Sequence, residues 1–242
     1  MKKAILTHPV LGNYGGAIQA YALMKAVSSI TSPPALLNYL PAKTASLRDF
    51  VSSLKYAIYR RLALITKGHP LEIIPNTAYA QCVGTAFTSR FFCQLLKTNN
   101  INEQCSIIVG SDQVWRAASA RYLHSLPFFF LDFATRKQRL CSFSYAASFG
   151  TDEWEGTLEE TEECGRLLRE FKAVSVREHS GVKICKEVFG VDAVQMPDPT
   201  LLLHTSDYEK IIDSEKTWSP ESKYVAAYVL DETAGKAELL QE

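Results

Sequence analysis

The chain has no surplus of charge. Twenty-six lysines and arginines stand against 26 aspartates and glutamates over 242 residues. A balanced chain makes no long-range field that gathers nucleic acid or a membrane, so nucleic acid is not an expected partner. Long apolar runs are also missing. None nears the roughly 20 residues that span a bilayer, and the run after Met1-Lys2-Lys3 is too short for a signal-peptide core. No transmembrane segment is expected, and the chain reads as cytoplasmic. The six cysteines, Cys82, Cys93, Cys105, Cys141, Cys164 and Cys185, form no CxxC pair, so a zinc knuckle is not expected and reduced core thiols are. No HExxH pair, GxSxG elbow, P-loop lysine or GxGxxG fingerprint occurs. No metal site is expected.

What is present is the alternation of short β-branched runs with helical periodicity. Lys3 to Thr7 reads as a strand, Pro9 to Gly16 as a turn with three glycines, Ala17 to Ser28 as a helix and Leu36 to Tyr39 as a second strand. Leu47 to Ile65 and Thr77 to Leu96 carry helical patterns, the first with a basic face, and Gly68 to Pro75 connects them. Further strands are predicted at Ser106–Val109, Phe128–Phe133, Leu140–Ala146, Ala173–Val176 and Ala193–Met196. Helices are predicted at Thr157–Phe171, at Ser180–Phe189 with Ser180 as N-cap, and at Ser206–Ile212. This is an α/β pattern, a doubly wound, mostly parallel, Rossmann-like sheet. Residues 1–214 form its domain and 215–222 a polar linker. Residues 223–242 either open a second α/β domain or return a strand to the first sheet.

Open α/β sheets bind ligands beyond the carboxyl ends of their strands, and three polar turns fall there. Asn13-Tyr14-Gly15-Gly16 precedes a helix, where glycines permit close backbone approach and free N–H groups suit an anion. Ser111-Asp112-Gln113 follows Ser106–Val109: Asp112 can act as a base or accept from sugar hydroxyls, and Gln113 can read a hydroxyl with both donor and acceptor. The plain alternative is Asp112 as a helix N-cap. Arg177-Glu178-His179-Ser180 follows Ala173–Val176, and Arg177 can fork a phosphate or carboxylate or pair with a neighbouring acid. His8 is better placed than His69, His124 or His204, with a hydrogen-bonded structural role as its leading reading. Three such turns on one sheet point to one ligand crevice.

These motifs, with Gln19-Ala20-Tyr21-Ala22-Leu23, Val114-Trp115, Phe130-Leu131-Asp132-Phe133-Ala134, Ser144-Tyr145-Ala146-Ala147-Ser148-Phe149-Gly150 and Asp198-Pro199-Thr200-Leu201-Leu202, resemble the polysaccharide pyruvyl transferases in order and rough spacing. The resemblance implies the first half of a two-domain arrangement similar to the B-type glycosyltransferases. It implies transfer of the enolpyruvyl unit of phosphoenolpyruvate to a saccharide hydroxyl pair as a ketal, with phosphate released. The acceptor is then a saccharide of a surface exopolysaccharide, often lipid-linked, which extends the cytoplasmic reading to a peripheral place at the inner membrane face. No cofactor is implied. Asp112 and Arg177 become the catalytic candidates, Arg177 as anion clamp, with Asn13, Tyr14, Gly15, Gly16, Ser111, Gln113, Glu178 and Ser180 binding substrate. Arg116 departs from the Asn usual after this run. The family's remaining arginine and histidine belong to its second domain, so the 242 residues alone are expected to be inactive. Two other readings are a nucleotide-sugar glycosyltransferase of the same layout and a non-catalytic saccharide-binding module.

Overall fold

A computed structural model describes residues 2–8, 13–37 and 105–211. The helices expected at 47–65 and 77–96, the connector at 68–75, the linker at 215–222 and the strand and helix start at 223–242 lie outside them, as do Cys82, Cys93 and His69. Strand β1 (Lys2–Leu6) pairs in parallel with β2 (Ala35–Leu36) on one side and with β3 (Cys105–Val109) on the other. Strand β4 (Phe143–Ser144) pairs in parallel with β3, giving the order β2-β1-β3-β4. Strands β5 (Ser175–Val176) and β6 (Val194–Gln195) form a parallel pair, and single parallel bridges, Phe143 to Ala173 and Ala147 to Val176, run the alignment on from β4.

Both faces of this sheet are covered, which is why its central strands read as continuous apolar runs. All five residues of β3 are buried. The two-residue alternation of a strand sends Leu6, Ile107 and Val109 into one core and Ile5 and Ile108 into another. The smaller core is closed by α1 (Tyr14–Ile30) through Ala17, Ala20, Leu23, Met24 and Val27. The larger contains residues of α2 (Ala117–Leu123), α4 (Leu158–Leu168) and α5 (His179–Glu187). Thr157 and Glu160 close a capping box at the start of α4, as its acidic first turn anticipates.

Several expectations need correction. Phe128–Phe133 is not a strand. Pro127 starts a 3₁₀ turn over Pro127–Phe130, and Leu131 follows at φ 66°. Proline fixes its own φ and donates no ladder hydrogen bond, so the aromatic run coils and inserts Phe129 and Phe130 into the core from one turn. The strand expected over Leu140–Ala146 shrinks to β4, because Thr135 and Gln138 form a capping box that starts α3 (Arg136–Arg139). Serines then join β4 to β5: Ser144 Oγ donates to the Ser175 carbonyl at 2.9 Å, and Ser175 Oγ to the Ser144 carbonyl at 2.8 Å. Ser180 is not the N-cap of α5; Glu178 is, and it makes no side-chain capping bond. A short helix α6 (Thr205–Glu209) replaces the one expected over Ser206–Ile212.

The chain divides into two compact units, Met1–Thr205 and Ser206–Glu242. In the second, Lys210 pairs with Asp207 at 3.3 Å. Among the described residues Cys141, Cys164 and Cys185 are free thiols. Burial pushes Cys185 up to about 12 and raises Cys164 further, which suits packing rather than nucleophilic chemistry. No helix of the described residues is long and apolar enough to cross a membrane.

Candidate functional site

Strand order reverses between β1 and β3, and in an open parallel sheet that reversal opens a crevice at the carboxyl ends. His8 follows β1 and Asp112 follows β3, so both stand at this point. Asp112 does not cap a helix. Its Oδ1 accepts from the Gln113 backbone at 2.8 Å, and α2 begins only at Ala117 with Arg116 as its N-cap. Oδ2 is thereby left for two side chains: Asn13 Nδ2 donates to it at 3.1 Å, and His8 Nδ1 lies 3.6 Å away. Burial by itself would raise the Asp112 carboxyl. The hydrogen bond and charge of His8, the Gln113 N–H and the field of Arg177 outweigh it and hold the carboxyl below its ordinary value.

The glycine turn is not wholly a turn. α1 starts at Tyr14, so Gly15 and Gly16 lie in its first turn, and Asn13 is the N-cap, its Oδ1 accepting from Gly16 N at 2.9 Å. Glycine is a poor helix former, yet Gly16 has a reason to be there. A Cβ would sit 2.6 Å from Asn13 Nδ2 and 2.9 Å from Asp112 Oδ2. Gly16→Ala should therefore break the Asn13–Asp112 contact. We expect activity to fall while the melting temperature moves little, because alanine's helix propensity offsets part of the clash. Parallel activity and thermal unfolding measurements check this.

Arg177, at the end of β5, is the second hub. Its Nε donates to Glu178 Oε1 at 2.9 Å, Nη1 to Asp198 Oδ2 at 3.3 Å and Nη2 to Ser148 Oγ at 3.1 Å. The pairing with a neighbouring acid thus occurs. The side chain remains about a quarter exposed, and each terminal nitrogen keeps one N–H among the described residues. Gln19 of α1 also donates to Asp198 Oδ2. Asp198 Oδ1 accepts from the Thr200 backbone at 3.0 Å. Ser148 completes the link, since its N–H donates to the Asp112 carbonyl at 3.2 Å. The turns after β1, β3 and β5 are therefore bonded into one constellation.

Five buried polar side-chain atoms among the described residues have no hydrogen-bond partner: His8 Nε2, Ser111 Oγ, Arg116 Nε, Tyr145 OH and Glu178 Oε2. Every one follows the carboxyl end of a parallel strand. Buried polar atoms normally find partners, so their concentration on one edge marks it as a place for a polar ligand. Beside it runs a groove of about 550 Å³ lined by His8, Asn13, Arg116, Ser119, Tyr122 and Leu123.

A family model for the polysaccharide pyruvyl transferases matches residues 13–240. The chain belongs to that family. No curated protein and no solved structure matches it at a significant level. Membership makes this pyruvyl transferase-family chain a transferase with a saccharide acceptor.

Of the predicted site residues, Asn13, Gly16, Asp112, Arg177 and Glu178 come together through the contacts above. Ser111 is buried at the same edge, and Gln113 Oε1 accepts from Arg116 Nη1 at 3.3 Å. Tyr14 opens α1, Gly15 is exposed, and Ser180 lies in the first turn of α5. His179 is exposed. Gln19, Tyr145, Ser148 and Asp198 were not among the candidates, although they stand in the motifs that carry the family resemblance, and His8, read first as a structural histidine, joins them two residues after β1.

The Asp112 shift has a sign that can be tested. A carboxyl lowered in the folded state stabilises the protein above its unfolded value, near 3.8, and that contribution disappears as pH falls through the lower folded value. Asp112→Asn should lose this part of the acid dependence, so its unfolding free energy falls less steeply than the wild type's below about pH 4. Urea titrations across pH 2–7 measure it.

Proposed function

We propose that this protein transfers the enolpyruvyl unit of phosphoenolpyruvate to two hydroxyls of a saccharide, making a cyclic ketal and releasing phosphate. The observation that carries the reading, beyond family membership, is the row of unpartnered buried polar atoms along the strand ends, flanked by Asn13, Gln19, Asp112 and Asp198. Such a mixture of carboxylates, amides and hydroxyls suits a polyhydroxyl ligand, and the two remaining N–H groups of Arg177 suit one anionic oxygen pair.

The chemistry sets the roles. A proton added to the methylene carbon uses the C=C π electrons and leaves an oxocarbenium-like C2. One sugar oxygen bonds to C2 and gives up its proton. The second hydroxyl oxygen then replaces phosphate at C2, the C–O(phosphate) bonding pair leaving with phosphate and the hydroxyl proton passing to the released phosphate. Asp112, held ionised by His8 and Arg177, receives or orients a hydroxyl proton, a role worth roughly 10²–10⁴-fold. Burial first and the charge of Asp198 second raise the Tyr145 hydroxyl, keeping it a hydrogen-bond donor.

The test is incubation of a protein that carries both domains of the expected arrangement with phosphoenolpyruvate and a panel of glycosides, the 242 residues alone being expected to give no product. Phosphate release matched by a new ketal methyl resonance is expected. Binding of glycosides and phosphoenolpyruvate without either product would overturn the reading in favour of a saccharide-binding module.

A further inference from the structure

We propose that Arg116 makes the groove between the start of α1 and α2 a subsite for an anionic group carried by the acceptor, either a sugar carboxylate or a phosphate ester. The inference rests on the saccharide-acceptor reading above and adds the charge of the acceptor to it.

Arg116 differs from the other half-buried and buried arginines among the described residues. Arg177 has two carboxylates, and Arg139 is paired with Glu170 at 2.6 Å. Among the described residues no carboxylate lies at ion-pair distance from Arg116. Among those residues its one side-chain partner is the neutral Gln113 amide at 3.3 Å, and its buried Nε has none. A guanidinium partly withdrawn from water without a counter-charge bears a cost, and an anion in the groove offsets it.

The position is also built. Gly150, at φ 68°, lies under the Gln113 and Arg116 side chains, and a Cβ there would come 2.9 Å from Gln113 Oε1 and 3.0 Å from Arg116 Cδ. Glycine at 150 thus lets both side chains lie flat against the loop, with Gln113 holding the guanidinium. The groove offers the Ser119 hydroxyl and the Asn13 amide beside Arg116, and Tyr122, 73% exposed, at its rim. A tyrosine presents an apolar face with a polar tip, which fits a sugar ring whose charged substituent reaches Arg116. Arg177, with two carboxylates already bound, is the less open cation. The two arginines therefore divide the ligands, the acceptor's charge falling to Arg116.

The experiment is a set of binding titrations on the full chain by ligand-observed NMR, with glucuronate, glucose 1-phosphate and glucose as probes. We expect glucuronate or glucose 1-phosphate to bind at least about tenfold more tightly than glucose. Which of the two does so identifies the anion as carboxylate or phosphate. Arg116→Gln should erase that preference and leave glucose binding unchanged, and Arg116→Lys should retain part of it. The proposal fails if a folded Arg116→Gln protein, with its melting temperature unchanged, keeps the preference, or if glucose binds as tightly as both anions. It also fails if phosphoenolpyruvate displaces the anionic sugar in an Arg116-dependent way, because the donor then occupies the groove. These titrations need no turnover, so the absence of pyruvyl transfer and the absence of an Arg116 effect are separate results.

Discussion

Trp115→Ala should lower the unfolding free energy by about 3–5 kcal/mol, the range for removing a fully buried large aromatic side chain. Trp115 is completely buried. Its indole stacks on Phe130 at 5.0 Å between centroids and tilts against Phe149 at 5.3 Å. Its Nε1 donates to the Phe129 carbonyl at 3.0 Å, and its backbone N–H donates to the Ser148 carbonyl at 3.1 Å. The residue thus ties the loop after β3 to the aromatic turn and to the loop after β4. Its removal opens a cavity and strips a buried carbonyl of its donor, and the two losses add. Trp115→Phe keeps much of the volume and loses the N–H, so it should cost less than half as much. Denaturant unfolding of both variants measures the difference. Equal stabilities for the wild type and the alanine variant would show that this indole does not organise the loops.

Arg177→Lys should reduce kcat/KM for the proposed pyruvyl transfer at least about 100-fold, the scale seen when a preorganised charged donor is lost from an active site. Lysine keeps the charge and loses the fork. The guanidinium reaches Glu178, Asp198 and Ser148 from three different nitrogens while still offering N–H groups outward. A single ammonium cannot hold both carboxylates and the hydroxyl in those directions. The carboxylates then repel one another, Asp198 relaxes toward Gln19, and the link through Ser148 to Asp112 slackens. Stability should change far less than activity, since the group is partly solvated and its pairs are screened. Steady-state phosphate release and thermal unfolding on the same preparations separate the two. A lysine variant within a few-fold of wild type would remove Arg177 from the anion-binding role.

Not every part of the fold was equally legible. The strand at Cys105–Val109 stood out because five consecutive buried positions leave no other use for a β-branched run. The helix expected over Thr157–Phe171 was legible in its pattern, while the Thr157–Glu160 capping box that fixes its start was seen only in the structure. Phe128–Phe133 misled because apolarity alone does not distinguish an extended run from a coiled one, and Pro127 decided between them. Gly15 and Gly16 looked like a loop because glycine is a turn residue by preference. What selects glycine at this helical position is the Asp112 carboxylate, 96 positions later in the chain, which excludes a Cβ. Gln19 and Asp198 are 179 residues apart, and no local pattern pairs them.

From the sequence came the α/β class, the family and the turns that bear polar groups, because each is written in local periodicity or in short runs of neighbouring residues. The tertiary structure alone decided that His8 and Asn13 share one oxygen of Asp112 and that, among the described residues, Arg177 is held by two carboxylates and Arg116 by none. Parallel pairing sets the carboxyl ends of distant strands side by side, and only that juxtaposition determines which charges meet and which are left without a partner.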